Sequence, residues 1–251
     1  CAYTLGEGSF PDCSVFPCAG ALSGTPTTGG SFTFTIQATD SRSGFPFSGQ
    51  REYTLEINGP PVVNAGLDLI ANEGAEVTFS ASYTDEDLTE LDPVTILWDF
   101  GDGTTASDTL TPTHTYGDDG IYTVTLTITD SLGAVGTDTL DVTVSNIAPV
   151  ASSIPNRSTL IEIPLTVTLT FTDPGWLDTH EVEVNWADGD SDEINLPAGV
   201  LTTELSHTYL APGEYLVEVE IQDDDGGEDS LWFLVRVLIE YYHTQLPLIV
   251  R

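Results

Sequence analysis

The sequence predicts an all-β protein built of tandem β-sandwiches. Two observations support this: hydrophobic and polar residues alternate with a period of two, and helical periodicity is nearly absent. In the clearest segments, β-branched or aromatic residues occupy one face and Thr or Glu the other, as in a half-buried strand. Clusters of Gly, Pro and Asp separate the segments at the spacing typical of sandwiches. The segments are 31–38, 76–81, 121–128, 165–171 and 215–221.

The size of one domain follows from an internal repeat. Residues 94–103 are similar to 182–190, and the tryptophans in these segments, Trp98 and Trp186, are 88 residues apart. His114 and His207, each followed by Thr-Tyr, are 93 residues apart. One repeat therefore occupies about ninety residues, the size of an immunoglobulin-like sandwich.

The domain boundaries coincide with two short proline-bearing joints, 58–62 and 146–150. Both are too short and too stiff to act as free linkers. A length of 251 residues allows two or three domains, and we predict three tandem immunoglobulin-like β-sandwiches. Their ranges are 1–58, 59–147 and 148–238, followed by an apolar tail at 239–251.

The charge of the chain excludes several classes of partner. The 40 acidic and 5 basic residues give a net charge of −35, whereas nucleic acids and anionic membranes need a basic surface. No apolar run reaches about 18 residues, so we expect no membrane insertion either. Hydrophobic residues make up 40% of the chain in regular short runs, which argues against disorder. Three explanations of the acidity stay open: calcium binding, a salty habitat and solubility.

Both long repeats resemble a known family. Residues 98–103, with 114–116 and the strand around Tyr122, resemble the polycystic-kidney-disease (PKD) domain. The second repeat resembles the PKD variety that has motifs such as 172–180 and 223–227 here, and it departs from the family at Ala187, where Gly is usual. The resemblance implies β-sandwiches of the kind found in prokaryotic surface proteins.

Acidic loops at one pole of each PKD-like repeat form candidate calcium sites. Calcium takes roughly six to eight oxygen ligands, and carboxylates crowded from two loops repel one another unless a cation lies between them. The resemblance implies the same, since several PKD-like domains are similar in placing calcium at this pole. Because the pole faces the preceding domain, bound calcium is expected to stiffen the joint; the alternative is a set of solvated acidic loops. The predicted ligands are Asn64, Asp85, Asp87 and Asp130 in the first repeat and Asp173, Asp178, Asp223 and Asp225 in the second.

No set of residues predicts an active site. His114 and His207 occupy equivalent positions in the two repeats, which favours a packing role over catalysis. His180 and His243 have no Cys or His at the spacing of a zinc site. We therefore expect no catalytic residue and no enzyme activity.

The cysteines and one sequon suit an extracellular protein. Cys13 and Cys18 flank a short turn-like stretch and are predicted to pair, although a pairing with Cys1 remains an alternative. Asn156 is the Asn of an Asn-x-Ser sequon and a candidate glycosylation site. Together with the Thr- and Asp-rich surface, these residues lead us to expect a secreted or cell-surface location.

The two ends of the chain suggest self-association. The first 58 residues resemble the immunoglobulin-like (cadherin-like) repeat of bacterial surface proteins, at 3–5, 20–26, 32–36 and 53–57, but lack its first strand. The tail is unusually apolar and places Leu246, Leu248 and Val250 on one strand face. We expect the tail of one copy to add as a strand to the first sandwich of the next, giving a head-to-tail homopolymer. The alternatives are a tail that folds back on its own domain and a first sandwich shortened only by where the sequence was cut.

The function expected from these features is non-catalytic and structural. The chain is predicted to be an extracellular subunit of a surface filament or stalk, assembled by strand addition and stiffened by calcium. The alternative is a set of accessory spacer modules, or modules that bind carbohydrate or protein, within a larger secreted enzyme or adhesin. A surface polysaccharide or glycan partner would need an exposed aromatic platform, for which Trp176 and Trp232 are the candidates, whereas Trp98 and Trp186 are expected in the core.

Overall fold

The computed structural model describes residues 4–5, 8–9, 29–39, 48–86 and 93–239, and every regular element among them is a strand. The all-β prediction is therefore confirmed. The strands of the first part are β1 (Thr4–Leu5), β2 (Gly8–Ser9), β3 (Gly30–Thr39), β4 (Ser48–Ile57), β5 (Val62–Asn64), β6 (Leu69–Asn72), β7 (Glu76–Thr78), β8 (Ser82–Thr84), β9 (Thr95–Asp99), β10 (Thr105–Ser107), β11 (Thr113–Thr115), β12 (Gly120–Thr129) and β13 (Val135–Ser145). Those of the second repeat are β14 (Val150–Ala151), β15 (Arg157–Leu160), β16 (Leu165–Thr172), β17 (His180–Asn185), β18 (Ser191–Leu196), β19 (Thr202–His207), β20 (Gly213–Asp223) and β21 (Glu228–Leu238).

The chain folds as two compact units. The first takes in the described residues up to Gly66, together with Phe79–Pro112 and Val124–Leu140. The second takes in Leu67–Thr78, Thr113–Thr123 and the described residues from Asp141 onward. Two loops of the first PKD-like repeat thus belong to the same compact unit as the second repeat.

The first unit contains a hairpin and an aromatic core. Strands β3 and β4 pair antiparallel from Gly30 opposite Ile57 to Thr39 opposite Ser48. The core is built around Phe79, Trp98 and Phe100. The centroid of the Phe79 ring lies 5.4 Å from that of Trp98 and 5.3 Å from that of Phe100. Trp98 is fully buried and its indole Nε1–H donates to the carbonyl oxygen of Thr109 at 3.0 Å. The larger sheet of this repeat has the order β10-β9-β12-β13-β6.

The second unit has a core between a five-stranded sheet, β15-β21-β20-β17-β18, and a three-stranded sheet, β14-β16-β19. Strand β16 alternates buried and exposed residues over its whole length, as its sequence pattern requires. Strand β15 pairs parallel to β21, whereas β20 pairs antiparallel to both β17 and β21. The largest fully buried side chains of this core are Trp186, Tyr209, Phe233, Leu169, Leu205 and Ile221.

The structure corrects the alignment of the two repeats on their tryptophans. The Phe100 N–H donates to the Thr104 carbonyl, and in the same way the Trp186 N–H donates to that of Asp190. The next N–H groups along the chain also match: that of Gly101 donates to the side chain of Asp99, and that of Ala187 donates to the side chain of Asn185. Trp186 is therefore equivalent to Phe100 and not to Trp98. Both tryptophans fill the core, as predicted, but from positions two residues apart in the same strand-to-turn segment.

Candidate functional site

Four loops of the second unit meet where the first PKD-like repeat ends and the second begins. Two come from the first repeat, the turn after β6 around Glu73 and the loop between β11 and β12 around Asp118. Two come from the second repeat, 173–179 between β16 and β17 and 224–227 between β20 and β21. We call this set of four loops the repeat joint.

Main-chain hydrogen bonds and close packing hold the repeat joint together. The N–H of Gly74 donates to the Tyr116 carbonyl at 2.9 Å, and the N–H of Leu177 donates to the Gly117 carbonyl at 3.0 Å. A Cβ on Gly117 would lie 2.3 Å from the indole ring of Trp176, so only glycine lets the ring lie there. Gly74 adopts a positive φ of 70° and also makes a close approach, since a Cβ on Gly74 would lie 2.7 Å from the ring of Pro174.

Glu73, Asp173 and Asp178 form the inner cluster of the repeat joint. Each offers one carboxylate oxygen, and these oxygens lie within 4.8 Å of one another. Glu73 is 2% exposed and Asp178 is 1% exposed. The ion pairs of the described residues bring no arginine to this cluster. Two full negative charges at such a separation repel by about 3 kcal/mol at an effective dielectric near 20, so three ionised carboxylates need a cation here.

Several oxygens of the inner cluster have no hydrogen-bond partner within the part of the chain that the structure describes. One oxygen of Glu73 accepts the Ile147 N–H at 2.6 Å, but among the described residues its Oε2 has no partner, and neither oxygen of Asp178 has one. Burial, followed by the charge of Asp173, raises the pKa of Glu73 to about 7. Burial, followed by the charges of Glu73 and Asp173, raises the pKa of Asp178 to about 8. A buried polar atom without a partner is costly, and these oxygens are suited to a hard cation.

Asp173 is oriented by its neighbours. Its Oδ1 accepts the Gly175 N–H at 3.0 Å, and its Oδ2 accepts a hydrogen bond from His180 Nε2 at 2.8 Å, with both side chains fully buried. His180 therefore acts as a positioning residue for a carboxylate, and its ring packs edge-on against Phe171.

Asp118, Asp178 and Asp225 form the outer cluster, whose three oxygens also lie within 4.8 Å of one another. Partial burial, followed by the charges of Asp119 and Asp118, raises the pKa of Asp225 to about 6. Tyr122 fixes the loop that bears Asp118 by donating its hydroxyl to the Asp118 carbonyl at 3.0 Å. Asp178 belongs to both clusters.

The structure brings together some predicted ligands and separates others. Asp173, Asp178 and Asp225 lie in the two clusters. Asp223 does not, because its carboxylate accepts hydrogen bonds from Asn146 Nδ2 at 3.0 and 3.1 Å and from the N–H groups of Asp225 and Gly227. The Asp223 carboxylate thereby stabilises the turn between β20 and β21 and holds Asn146 at the start of the repeat.

The predicted set of the first repeat forms no acidic cluster among the described residues. Asp130 is the equivalent of Asp223: its carboxylate accepts from Asn58 Nδ2 at 3.0 Å and from the N–H groups of Leu132 and Ala134. Asn64 caps a local turn by accepting the Gly66 N–H at 3.0 Å. Asp85 is half-buried at the end of its loop, and Asp87 lies outside the described residues.

Sequence reasoning missed Glu73 and Asp118. Both belong to the first repeat, at the end that faces the second, whereas the prediction sought ligands only at the pole of each repeat that faces the preceding domain. The available signal was weak: Asn72–Gly74 and Gly117–Gly120 are glycine-bearing turns, each with an acidic residue. No periodic pattern connects them to Asp178.

The repeated His and aromatic residues have a packing role. In the second repeat, Trp186 stacks on His207 at 4.8 Å, and Tyr209 stacks on Tyr215 at 4.4 Å. His207 also donates to Asp188 at 2.8 Å, within a third acidic group formed by Asp188, Asp190 and His207. In the first repeat, Tyr116 stacks on Tyr122 and meets His114 edge-on. These are packing contacts at the edge of the core of each sandwich.

The remaining predicted sites stay predictions. Cys13 and Cys18 and the three tail residues Leu246, Leu248 and Val250 lie outside the described residues. Asn156 is exposed, and its side-chain oxygen accepts the Leu234 N–H at 2.9 Å. Trp176 and Trp232 are 48% and 54% exposed, the first in the repeat joint and the second in the middle of β21. Among the residues that the structure describes, no helix is long and apolar enough to span a membrane.

Comparison with known proteins gives one family and several structural likenesses. A family model for the PKD domain matches residues 58–144 and 146–235, and a search of curated proteins gives no match. The chain is similar to the PKD domain of an M14-like peptidase from a Thermoplasmatales archaeon, at 25% identity over 39% of this chain and 100% of that one, with a TM-score of 0.32. It is similar to the PKD1 domain of Vibrio anguillarum Epp at 34% identity, over 35% of this chain and 96% of that one, with a TM-score of 0.29. It is also similar to the titin I-band fragment I67–I69 at 15% identity, over 84% of this chain and 75% of that one, with a TM-score of 0.40.

The family match extends over more than half of the chain and falls on the two repeats that the sequence predicted to be PKD-like. The fold class of tandem immunoglobulin-like sandwiches is thereby confirmed, while the immunoglobulin-like repeat before them stays a prediction. The chain belongs to the PKD-domain family and has two copies of that domain in tandem.

Proposed function

We propose that this chain is a structural spacer of an extracellular or surface protein and that calcium stiffens its repeat joint. PKD and immunoglobulin-like domains are generally non-catalytic modules, and PKD domains typically occur in extracellular or surface proteins. The supporting observation is that buried carboxylate oxygens of Glu73 and Asp178, which belong to different repeats, converge and have no hydrogen-bond partner among the residues that the structure describes.

Calcium suits this donor set better than a transition metal. Both clusters offer carboxylate oxygens only, which are the ligands of hard divalent cations. When bound, calcium would neutralise these carboxylates and connect side chains of the two repeats. Glu73, Asp173 and Asp178 are the residues that would hold it in the inner cluster.

A pair of glutamine variants tests the proposal. Thermal unfolding of the wild type is expected at a higher temperature in calcium than in chelator, because a ligand that binds the folded state stabilises it. Glu73→Gln should lose most of that difference. Glu76→Gln is the matched control, since Glu76 lies three residues away on the exposed face of β7, and it should keep the difference. A wild type that melts identically in calcium and chelator, with no calcium bound after dialysis, would remove the basis of the proposal.

We propose further that the chain assembles head to tail through strand addition by residues 239–251. The sequence supports this through the apolar tail, in which Leu246, Leu248 and Val250 would share one face of a strand. Deletion of 239–251 is expected to turn fibres or oligomers, seen by electron microscopy and size-exclusion chromatography, into monomers. Fibres that persist after the deletion would contradict strand addition, and a wild type that is monomeric at all concentrations would favour the accessory-module alternative.

A further inference from the structure

Asp178 is shared by the inner and outer clusters of the repeat joint. Its carboxylate is 1% exposed, and neither Oδ1 nor Oδ2 has a hydrogen-bond partner among the described residues. One oxygen is within 4.8 Å of oxygens of Glu73 and Asp173, and the carboxylate meets the same criterion with Asp118 and Asp225. A buried carboxylate that is shared by two groups of acids has the form of a bridging ligand.

The charge at the repeat joint exceeds what one divalent ion can neutralise. The two clusters together contain five different carboxylates, from Glu73, Asp118, Asp173, Asp178 and Asp225. One doubly charged cation would leave most of this charge uncompensated, and the ion pairs of the described residues supply no arginine to these acids. Two divalent cations would bring the net charge of the five ionised carboxylates close to zero.

We propose that the repeat joint binds two divalent cations side by side, with the carboxylate of Asp178 bridging them. Glu73 and Asp173 complete the inner position, and Asp118 and Asp225 complete the outer one. Each position thus combines one ligand from the first repeat with ligands from the second. The inference deepens the calcium site of the proposed function and rests on it, but it adds the second ion, its ligands and the bridge.

The arrangement predicts how many bound ions each variant should lose. Asp225 and Asp118 contribute to the outer position only, and Glu73 contributes to the inner position only, whereas Asp178 contributes to both. Asp225→Asn should therefore remove one ion and leave the other, Glu73→Gln should also remove one, and Asp178→Asn should remove both. Asp190→Asn, in the third acidic group and away from the joint loops, is the matched control and should leave both ions bound.

The experiment counts tight calcium ions per chain by equilibrium dialysis and by calorimetric titration of the full chain. Terbium is a second probe, because its luminescence is excited through nearby tryptophans, and Trp176 lies in the same loop as Asp173 and Asp178. The expected counts are two for the wild type and for Asp190→Asn, one for Asp225→Asn and for Glu73→Gln, and none for Asp178→Asn. Far-ultraviolet circular dichroism and a cooperative melt in chelator show that each variant is folded.

Three results would overturn the inference in different ways. One ion in the wild type, lost in Glu73→Gln and kept in Asp225→Asn, would contradict the bridged pair and leave the proposed function standing. No tight ion in the wild type would contradict both. Equal loss of terbium luminescence in Asp190→Asn and Asp225→Asn would also contradict the assignment, because it would show general binding to acidic loops.

Discussion

At the scale of single residues, Asp178 is a carboxylate whose effect on stability depends on whether a cation is present. Without a cation its charge is buried, with no hydrogen-bond partner in the described part of the chain. Asp178→Asn is therefore expected to raise the free energy of unfolding in chelator at pH 8.5, by about 2 kcal/mol, since an uncompensated buried charge costs at least this much. In saturating calcium the same variant should be less stable than the wild type by about 3 kcal/mol, the contribution of a ligand at roughly a hundred times its Kd.

Urea unfolding in the two buffers measures this reversal of sign. Asp190→Asn is the matched control: Asp190 is exposed, so the loss of its charge should change the free energy of unfolding little in either buffer. A variant at Asp178 that is destabilised equally in calcium and in chelator would show that the carboxylate only packs.

Glu73 and Asp178 also predict the pH dependence of the metal-free protein. Burial raises the pKa of Glu73 to about 7 and that of Asp178 to about 8, so the folded state keeps protons that the unfolded state has released. Their contribution to stability is complete below the unfolded pKa values near 4 and is lost as pH rises through about 7 and then about 8. In chelator, the free energy of unfolding should therefore fall from pH 5 to pH 8.5.

Other acids contribute to such a slope, so the test is a difference between proteins. The double variant Glu73→Gln, Asp178→Asn should show a shallower decrease than the wild type over the same range. Identical slopes for the two proteins would mean that these carboxylates are ionised in the folded state without a cation.

Ala187 shows what the sequence could tell about a single residue. The departure from glycine was visible in the sequence, and the structure gives Ala187 a φ of 64° where Gly101 of the first repeat has 83°. Left-handed backbone costs a residue with a Cβ about 1 kcal/mol or more. We expect Ala187→Gly to stabilise the second repeat by about 1 kcal/mol and Gly101→Ala to destabilise the first by a similar amount. Denaturant unfolding checks both, and a destabilised Ala187→Gly would contradict the backbone explanation.

At the scale of elements, alternation identified strands well and their pairing poorly. The predicted strand 165–171 is observed as β16, Leu165–Thr172, with every second residue buried. The predicted strand 76–81 is observed only in its first half, as Glu76–Thr78, which pairs with β11. The next strand, Ser82–Thr84, begins after the predicted segment and pairs with β5. Alternation reports which face each side chain occupies, and it contains no information on which strand lies alongside.

The same limit explains the partial prediction of the repeat joint. Asp173, Asp178 and Asp225 were predictable because they lie in acidic loops of one repeat at ends that a sandwich brings together. Glu73 and Asp118 were not, since only the packing of one repeat's loops on the next places them there. Asp223 was predicted as a ligand for the same local reasons as Asp225, but Asn146 and two N–H groups use its oxygens.

The loops of the repeat joint predict an effect of glycine at their contact. A methyl group on Gly117 would lie 2.3 Å from the Trp176 ring, so Gly117→Ala should displace the ring or the loop that bears Asp118. We expect the affinity for calcium to fall at least tenfold, as measured by calorimetric titration, because one ligand loop moves. Gly49→Ala is the control, since no atom of the described residues lies within 4 Å of a Cβ at that position. Unchanged affinity in Gly117→Ala would show that the two loops need not touch for binding.

At the scale of the whole molecule, the net charge of −35 has two separable effects on stability. Several of the acids lie on exposed strand faces; for example, Glu183 of β17 is directly opposite both Glu193 of β18 and Glu220 of β20. Like charges in such a row repel, and this repulsion is screened as the Debye length falls from about 10 Å at 0.1 M salt to about 3 Å at 1 M. The buried carboxylates of the repeat joint are screened much less.

Sodium chloride and calcium should therefore stabilise the protein through different residues. Raising sodium chloride from 0.1 to 1 M is expected to raise the melting temperature of the wild type and of Asp178→Asn alike, because both keep the acidic surface. Millimolar calcium at constant ionic strength should raise that of the wild type only, because Asp178→Asn has lost the shared ligand. Amide exchange at Ile147, whose N–H donates to Glu73 at 2.6 Å, should slow in calcium and not in sodium chloride. If sodium chloride reproduced the full effect of calcium, general screening would account for the acidity, and the repeat joint would need no ion of its own.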